Sequence, residues 1–187
     1  MNTDVIVGVS DRSTDQLDVL FNTPAGRALL SDSVGIDPAL VDQLVHLGLS
    51  SICNAIAAIK LAKLRGLGRD DVIVTVATDG SALYDSERAR TVRRDFGGEL
   101  DTDSAARVFG EHLAAIDTSN MIDCTETDRR RIFNLGYYTW VEQQGISLAD
   151  FDARRSQAFW QSLRSFVPAW DDAIREFNAR TGVASTT

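Results

Sequence analysis

Apolar residues recur along most of this chain with helical spacing, most clearly between residues 48 and 66. One stripe of such side chains lies there: Ile52, Ile56, Ile59 and Leu64. Gly48 breaks the chain before the stripe, and Gly66 is a typical helix terminator after it. The pattern predicts a helix between these glycines, with Ser50 or Ser51 as its amino-terminal cap.

The pattern changes after this helix, in a short run that is apolar at nearly every position. Residues 72–77 read VIVTVA, and only Thr75 is polar. Such a run is typical of a central strand covered on both faces. A helix followed by a buried strand is half of a β–α–β crossover, so we expect an α/β fold with a partial parallel sheet and flanking helices. Residues 4–9, DVIVGV, predict a second short strand.

The rest of the chain is predicted to be helical. Its apolar spacing and capping residues indicate helices near residues 16–21, 25–30, 37–47, 85–95, 104–116, 125–144 and 151–181. Aromatic residues concentrate in the carboxy-terminal third, where we expect them to pack against the body of the protein or a partner. We therefore expect an α/β portion over residues 1–100, an aromatic-rich helical extension over 101–182 and a disordered tail over 183–187.

Composition narrows the choice of partners and compartment. The formal net charge of −8 and the pI near 4.7 argue against nucleic acid or anionic membrane as the main partner. The two cysteines and two histidines form neither a disulfide framework nor a zinc-binding pattern. The sequence shows no signal peptide and no stretch long enough to span a membrane, so a soluble, cytoplasmic protein is expected.

Two polar segments flank the predicted helix–strand unit and could carry chemistry. Thr78, Asp79 and Gly80 follow the predicted strand, at the end where ligands collect in open α/β sheets. The alternative is a polar turn in which Asp79 caps a helix. Ser50 and Ser51 lie at a helix amino terminus that could hold an anion, or they only cap it. The sequence contains no Gly-x-Gly-x-x-Gly motif and no Walker loop.

Together the two segments resemble a known family. The stretch GLSSICNAIAAIKLAKLRGLGRDDVIVTVATDG is similar to the last helix–strand unit of fold-type II pyridoxal-phosphate enzymes, which include cysteine synthase, threonine synthase and the tryptophan synthase β-subunit. Cysteine synthases carry a Gly-Ile-Ser-Ser-Gly helix start, an alanine-rich helix and a valine-rich strand ending in Ser-Gly or Asp-Ser-Gly. Gly48-Leu49-Ser50-Ser51 and Thr78-Asp79-Gly80 stand in those places, whereas Ile52 departs from the pattern. The match covers about a fifth of the chain.

The resemblance implies a role for each segment. Thr78, Asp79 and Gly80 would bind the cofactor, because in the family the residue before the glycine meets the pyridine nitrogen. A hydroxyl there favours an unprotonated ring, whereas a carboxylate favours a protonated ring and a stronger electron sink. Ser50 and Ser51 would line the pocket for a small amino-acid substrate. The implied reaction is β-elimination or β-replacement.

A required lysine is missing from this pattern. The family's Schiff-base lysine lies in its amino-terminal half, before a glycine-rich phosphate loop, whereas this chain has only Lys60 and Lys63, on the predicted helix. The resemblance thus implies pyridoxal phosphate only with a complementing, lysine-bearing half, and an isolated chain that self-associates. The alternative is a non-catalytic binding or interaction module that keeps the scaffold.

Overall fold

The fold is known from a computed structural model that describes residues 3–182, so the tail predicted to be disordered lies outside the described residues. Its elements are mostly helical. The strands are β1 (Val5–Val7) and β2 (Met121–Asp123), and the helices are α1 (Asp11–Asn22), α2 (Pro24–Ala28), α3 (Pro38–Gln43), α4 (Leu49–Arg65), α5 (Asp85–Phe96), α6 (Thr102–Phe109), α7 (Glu126–Tyr137), α8 (Leu148–Ala153), α9 (Gln157–Ser162) and α10 (Val167–Thr181). Short π-helical turns extend several of them, including Gly110–Ala114 after α6.

The predicted α/β fold with a parallel sheet is wrong. Within residues 3–182 the only sheet pairs β1 with β2. Gly8 N–H donates to the Asn120 carbonyl at 2.8 Å and Cys124 N–H to the Asp4 carbonyl at 2.9 Å, so the strands are antiparallel. Residues 72–77, predicted as a central strand, belong to an irregular segment. A high β-propensity makes a strand only where a neighbouring strand supplies hydrogen-bond partners, and no described element does so here.

The helix predictions succeed where capping signals are clear. Helix α4 ends at Gly66, which adopts φ +62° as a terminating glycine should. Thr125 and Asp128 form a capping box at the start of α7, where a helix was predicted to begin. The predicted amino-terminal cap of α4 is wrong, however. Gly48 occupies the N-cap position, and neither Ser50 nor Ser51 caps the helix.

Contacts along the described chain divide it into two compact units, one of residues 5–122 and one that joins residues 123–182 to residues 3 and 4. In the first unit, α1 is the central element, because residues 16–21 are buried on every side of the helix. Its apolar side chains join those of α3, α4, α6 and two connecting segments in one core: Leu17, Val19, Leu20, Phe21, Leu30, Val41, Ile52, Ile56, Leu100, Ala105 and Val108. This core holds the amino-terminal half of α4 in place.

The second unit is organised around one buried ring. Phe151 is 2% exposed, and the Phe133 ring packs edge-on against it with centroids 4.8 Å apart. The Arg154 guanidinium lies 4.4 Å from the centre of the same ring. Most other side chains of this unit are exposed, including Trp170 and Phe177 on α10.

Candidate functional site

The two segments singled out in the sequence lie against each other. The turn at Thr78 and Asp79 follows the irregular segment and contacts the start of α4. Thr78 N–H donates to Ser51 Oγ at 2.9 Å, and Gly48 N–H donates to the Asp79 carbonyl at 2.7 Å. Ser51 is only 3% exposed, so its hydroxyl is committed to this contact. Two motifs 27 residues apart thus form one polar cluster, which we call the turn cluster: Gly48, Ser51, Thr78, Asp79 and Tyr84.

The Asp79 carboxylate is bound at both oxygens. Thr78 Oγ1 donates to Asp79 Oδ1 at 3.1 Å, and the Tyr84 hydroxyl donates to Asp79 Oδ2 at 2.6 Å. The hydrogen bond from the phenol to a carboxylate raises the pKa of Tyr84, because loss of the phenol proton would place two negative groups side by side. Sequence reasoning missed Tyr84, although it lies only five residues after Asp79.

Gly48 allows the turn to come this close. A Cβ at position 48 would lie 2.4 Å from Asp79 Oδ1 and 2.7 Å from Tyr84 Cε2, both closer than non-bonded atoms tolerate. The glycine is therefore required by the close approach of the turn; its φ of −79° is open to any residue. Gly80, by contrast, has room for a side chain, with its nearest such contact at 3.4 Å.

Ser50 does not join Ser51. Its side chain is exposed and lines a separate cavity of about 420 Å³ together with Cys53 of α4, Asp11 and Asp15 of α1, and Glu87 of α5. The structure thus separates the two serines that were expected to share one substrate pocket. Because three carboxylates line the Ser50 cavity, it favours cations over an amino-acid carboxylate.

The ammonium groups of both lysines donate hydrogen bonds to backbone carbonyls. Lys60, which is 7% exposed, donates to the Gly8 carbonyl at 3.1 Å, and Lys63 donates to the Ile116 carbonyl. Neither forms a hydrogen bond with the turn cluster.

A second polar cluster was not foreseen from the sequence. Ser13 of α1, Lys60 of α4 and His112 of the π-helical turn line one cavity of about 260 Å³. His112 was set aside as an isolated histidine, because its partners Ser13 and Gln16 lie 99 and 96 residues away. Separations of this size leave no local pattern, so only the folded chain reveals the cluster.

Residues 3–182 contain neither a cluster of metal-ligating side chains nor a helix that could span a membrane. No three His, Cys, Asp or Glu side chains in this range converge as a metal site would require. None of the described helices combines the length and apolar character needed to cross a bilayer. Comparison of the chain with family models, curated proteins and solved structures returned no match.

Replacing Asp79 with asparagine is expected to lower the pKa of Tyr84 toward the ordinary phenol value of about 10. The carboxylate that now favours the protonated phenol would be gone. An ultraviolet titration of tyrosinate measures this, with Tyr84→Phe identifying which transition belongs to Tyr84. Asp70→Asn, which alters an exposed carboxylate of the same loop, is the control and should leave the titration unchanged. An unaltered Tyr84 transition in Asp79→Asn would contradict the hydrogen bond.

Proposed function

We propose that this chain is a subunit, or the carboxy-terminal portion, of a cytoplasmic pyridoxal-phosphate enzyme that acts on an amino acid by β-elimination or β-replacement. The observation that carries the proposal is the hydrogen bond from Thr78 N–H to Ser51 Oγ at 2.9 Å. It joins the two segments that the family resemblance implies at one pocket, although they lie far apart in sequence. In this proposal the turn cluster forms the wall of the pocket that meets the cofactor ring.

The turn cluster fits the pyridine nitrogen of the cofactor. Thr78 is exposed, and its hydroxyl donates its proton to Asp79 Oδ1, which leaves the hydroxyl oxygen free to accept a hydrogen bond. A hydroxyl that donated its proton to the nitrogen would favour an unprotonated ring, but the Thr78 proton goes to Asp79, so the Thr78 oxygen acts as an acceptor and favours a protonated ring. The Asp79 carboxylate behind it adds negative charge that favours the same state. When bound, pyridoxal phosphate supplies an electron sink for the bonds around the substrate α-carbon. This arrangement favours the stronger form of that sink.

The remaining parts of the pocket must come from elsewhere. Ser51 is buried and occupied by Thr78, so it would position the turn and not touch substrate. No glycine-rich phosphate loop occurs in the sequence, and both lysines are bound to carbonyls. We therefore propose that a lysine-bearing partner chain supplies the Schiff-base lysine and the phosphate site.

The irregular segment before the turn is the surface that such a partner would cover. Val72, Val74 and Val76 are 82%, 89% and 64% exposed, whereas Ile73 between them is 36% exposed. This alternation places one apolar row outward. The Val76 carbonyl accepts from Asn54 Nδ2 at 3.0 Å, and no strand of the described chain pairs with residues 72–77. Exposed valines on a segment without a neighbouring strand favour docking of another chain.

Mixing the purified chain with the product of the neighbouring gene and pyridoxal phosphate tests the proposal. We expect a stable complex with a visible cofactor absorbance that borohydride removes. Val74→Lys should weaken this complex, because it places a charge in the covered row, while Leu40→Lys on α3, at another exposed apolar position, should not. Two folded proteins that form no complex and bind no cofactor would overturn the proposal.

The alternative, a non-catalytic interaction module, rests on the exposed stripe of α10 and the turn before it. Phe166, Trp170, Ile174 and Phe177 follow helical spacing and are each more than half exposed. If the module hypothesis holds, substituting Trp170 with glutamate disrupts partner binding, whereas Asp79→Asn leaves it intact. The enzyme hypothesis predicts in addition that Asp79→Asn shifts the absorbance of bound cofactor.

A further inference from the structure

The cavity between α1, α4 and the residues around the π-helical turn contains the parts of a nucleophilic site. Its volume is about 260 Å³, and Ser13, Lys60 and His112 line it. Ser13 Oγ lies 3.2 Å from His112 Nδ1, within reach of a hydrogen bond between a nucleophile and a base. His112 belongs to the π-helical turn Gly110–Ala114, a type of distortion that is frequent at functional sites.

Hydrogen bonds fix which nitrogen of His112 carries the proton. Gln16 Nε2 donates to Asp95 Oδ2 at 2.9 Å, so the Gln16 carbonyl oxygen is directed at the ring. That oxygen lies 3.0 Å from His112 Nε2 and can only accept, so Nε2 carries the proton. Nδ1 of the neutral ring is then bare and can accept from the Ser13 hydroxyl, while Ser10 Oγ, 2.8 Å from Ser13 Oγ, can donate to Ser13. Gln16 is 2% exposed and acts here as a positioning residue.

Burial keeps this imidazole in its neutral, basic form. His112 is 6% exposed, and loss of hydration lowers its pKa below the ordinary value. The Glu111 carboxylate, 3.8 Å from Nε2, opposes this shift, while Arg12 and Arg107 reinforce it. Lys60 and Asp117 are the other charged groups lining the cavity. A neutral His112 with a bare Nδ1 can take a proton from Ser13.

Lys60 supplies a donor for developing negative charge. Its ammonium carries three N–H donors and makes one hydrogen bond, to the Gly8 carbonyl at 3.1 Å. Hydrogen bonds from Ser119 lower the pKa of Asp117, and the Lys60 charge is close enough to help lower it, but no salt bridge joins Lys60 and Asp117 in the described part of the chain. A buried cation with unused donors in the same cavity can stabilise an oxyanion.

We propose that Ser13, His112 and Lys60 form an acyl-transfer site for small carboxylic esters, separate from the turn cluster. Ser13 Oγ attacks the ester carbonyl carbon, and its proton passes to His112 Nδ1. The oxyanion is held by the Lys60 ammonium. As it collapses, the bond to the alcohol breaks, and the alcohol leaves with the proton from His112. Water then attacks the acyl-Ser13 ester by the same route, releasing a carboxylic acid and restoring Ser13.

Hydrolysis of p-nitrophenyl acetate, followed by mass spectrometry of the quenched protein, tests this site. The expected result is turnover above the buffer rate with an acetyl group on Ser13. Ser13→Ala should abolish the acetylation, and His112→Gln, which cannot carry the transferred proton, should slow turnover about 100-fold or more. Lys60→Met should slow turnover by a similar factor, because it removes the oxyanion donor while keeping the side-chain length.

Ser31→Ala is the matched control. Ser31 lies outside the cavity and its hydroxyl donates to the Arg27 carbonyl at 3.1 Å, so its loss should leave turnover unchanged. Thermal unfolding of each variant verifies that it folds. Acetylation of Ser13 is measured in the unmodified protein, so this result does not depend on whether any variant folds. Turnover that persists in Ser13→Ala, acetylation on Lys60 in place of Ser13, or no reaction above buffer would each overturn the proposal.

Discussion

Replacing Arg88 with methionine is expected to lower the free energy of unfolding by about 3–5 kcal/mol at neutral pH, because it leaves a buried carboxylate without its counter-ion. Arg88 Nε donates to Asp18 Oδ2 at 2.9 Å, and Arg88 Nη2 donates to Asp18 Oδ1 at 3.2 Å. Asp18 is 1% exposed in the centre of α1. Arg88 also donates to the Ser81 carbonyl at 2.9 Å. The substitution therefore leaves this carbonyl, as well as the Asp18 carboxylate, without a hydrogen bond that it has now. Urea unfolding measures the change.

The size of this loss should depend on pH. Burial raises the pKa of Asp18 despite the opposing attraction of Arg88, so the folded chain holds this proton more tightly than the unfolded chain does. The contribution of such a group to stability is complete below its unfolded pKa and is lost as the pH rises through its folded pKa. Without Arg88 the folded pKa rises further. The penalty in Arg88→Met should therefore shrink as the pH falls toward the unfolded value.

Arg90→Met is the matched control for this experiment. Arg90 pairs with Glu87 on the same helix at 3.1 Å, but its side chain is 65% exposed. Exposed ion pairs of this kind contribute less than about 1 kcal/mol to the free energy of unfolding. Equal losses in the two variants would contradict a special role for the buried pair.

Gly48→Ala is expected to cost about 1–3 kcal/mol of unfolding free energy, as overpacked positions generally do, and to detach the turn from α4. The added methyl group would collide with the Asp79 carboxylate and the Tyr84 ring. Thr78 N–H, which now donates to Ser51, should then exchange with solvent hydrogen much faster. In the proposed enzyme, the same change should also weaken cofactor binding by the complex.

Gly68→Ala provides the comparison. A Cβ at Gly68 would meet no atom within 4 Å, so stability and Thr78 exchange should stay close to those of the unmodified chain. Full protection of Thr78 N–H in Gly48→Ala would show that the turn tolerates a side chain at this position. The requirement for glycine at position 48 would then be refuted.

Helix boundaries could be predicted from the sequence because their signals are local. Gly66 and Gly97 end α4 and α5 in left-handed conformations that glycine adopts readily. Pro168 lies in the first turn of α10, where its missing N–H is no loss. A residue and its near neighbours decide such features, so a single sequence is enough to find them.

The sheet could not be predicted for the opposite reason. The run VIVTVA has every local feature of a buried strand, yet within the described chain residues 72–77 have no strand beside them. Local sequence reports the preference of a strand but not the presence of its partner. The turn cluster was partly predicted, because Ser51 and Thr78 belong to segments already singled out. The bond between Ser13 and His112 was missed because it depends wholly on tertiary packing.

The two thiols differ in a way that can be used experimentally. Cys124 is buried, whereas Cys53 is half-buried and lines the Ser50 cavity near the start of α4. A fluorescent maleimide should therefore label the native chain selectively at Cys53, without any engineered cysteine. The dye would sit within one helical turn of Ser51, where its emission could follow, in real time, the arrival of a second chain or a cofactor.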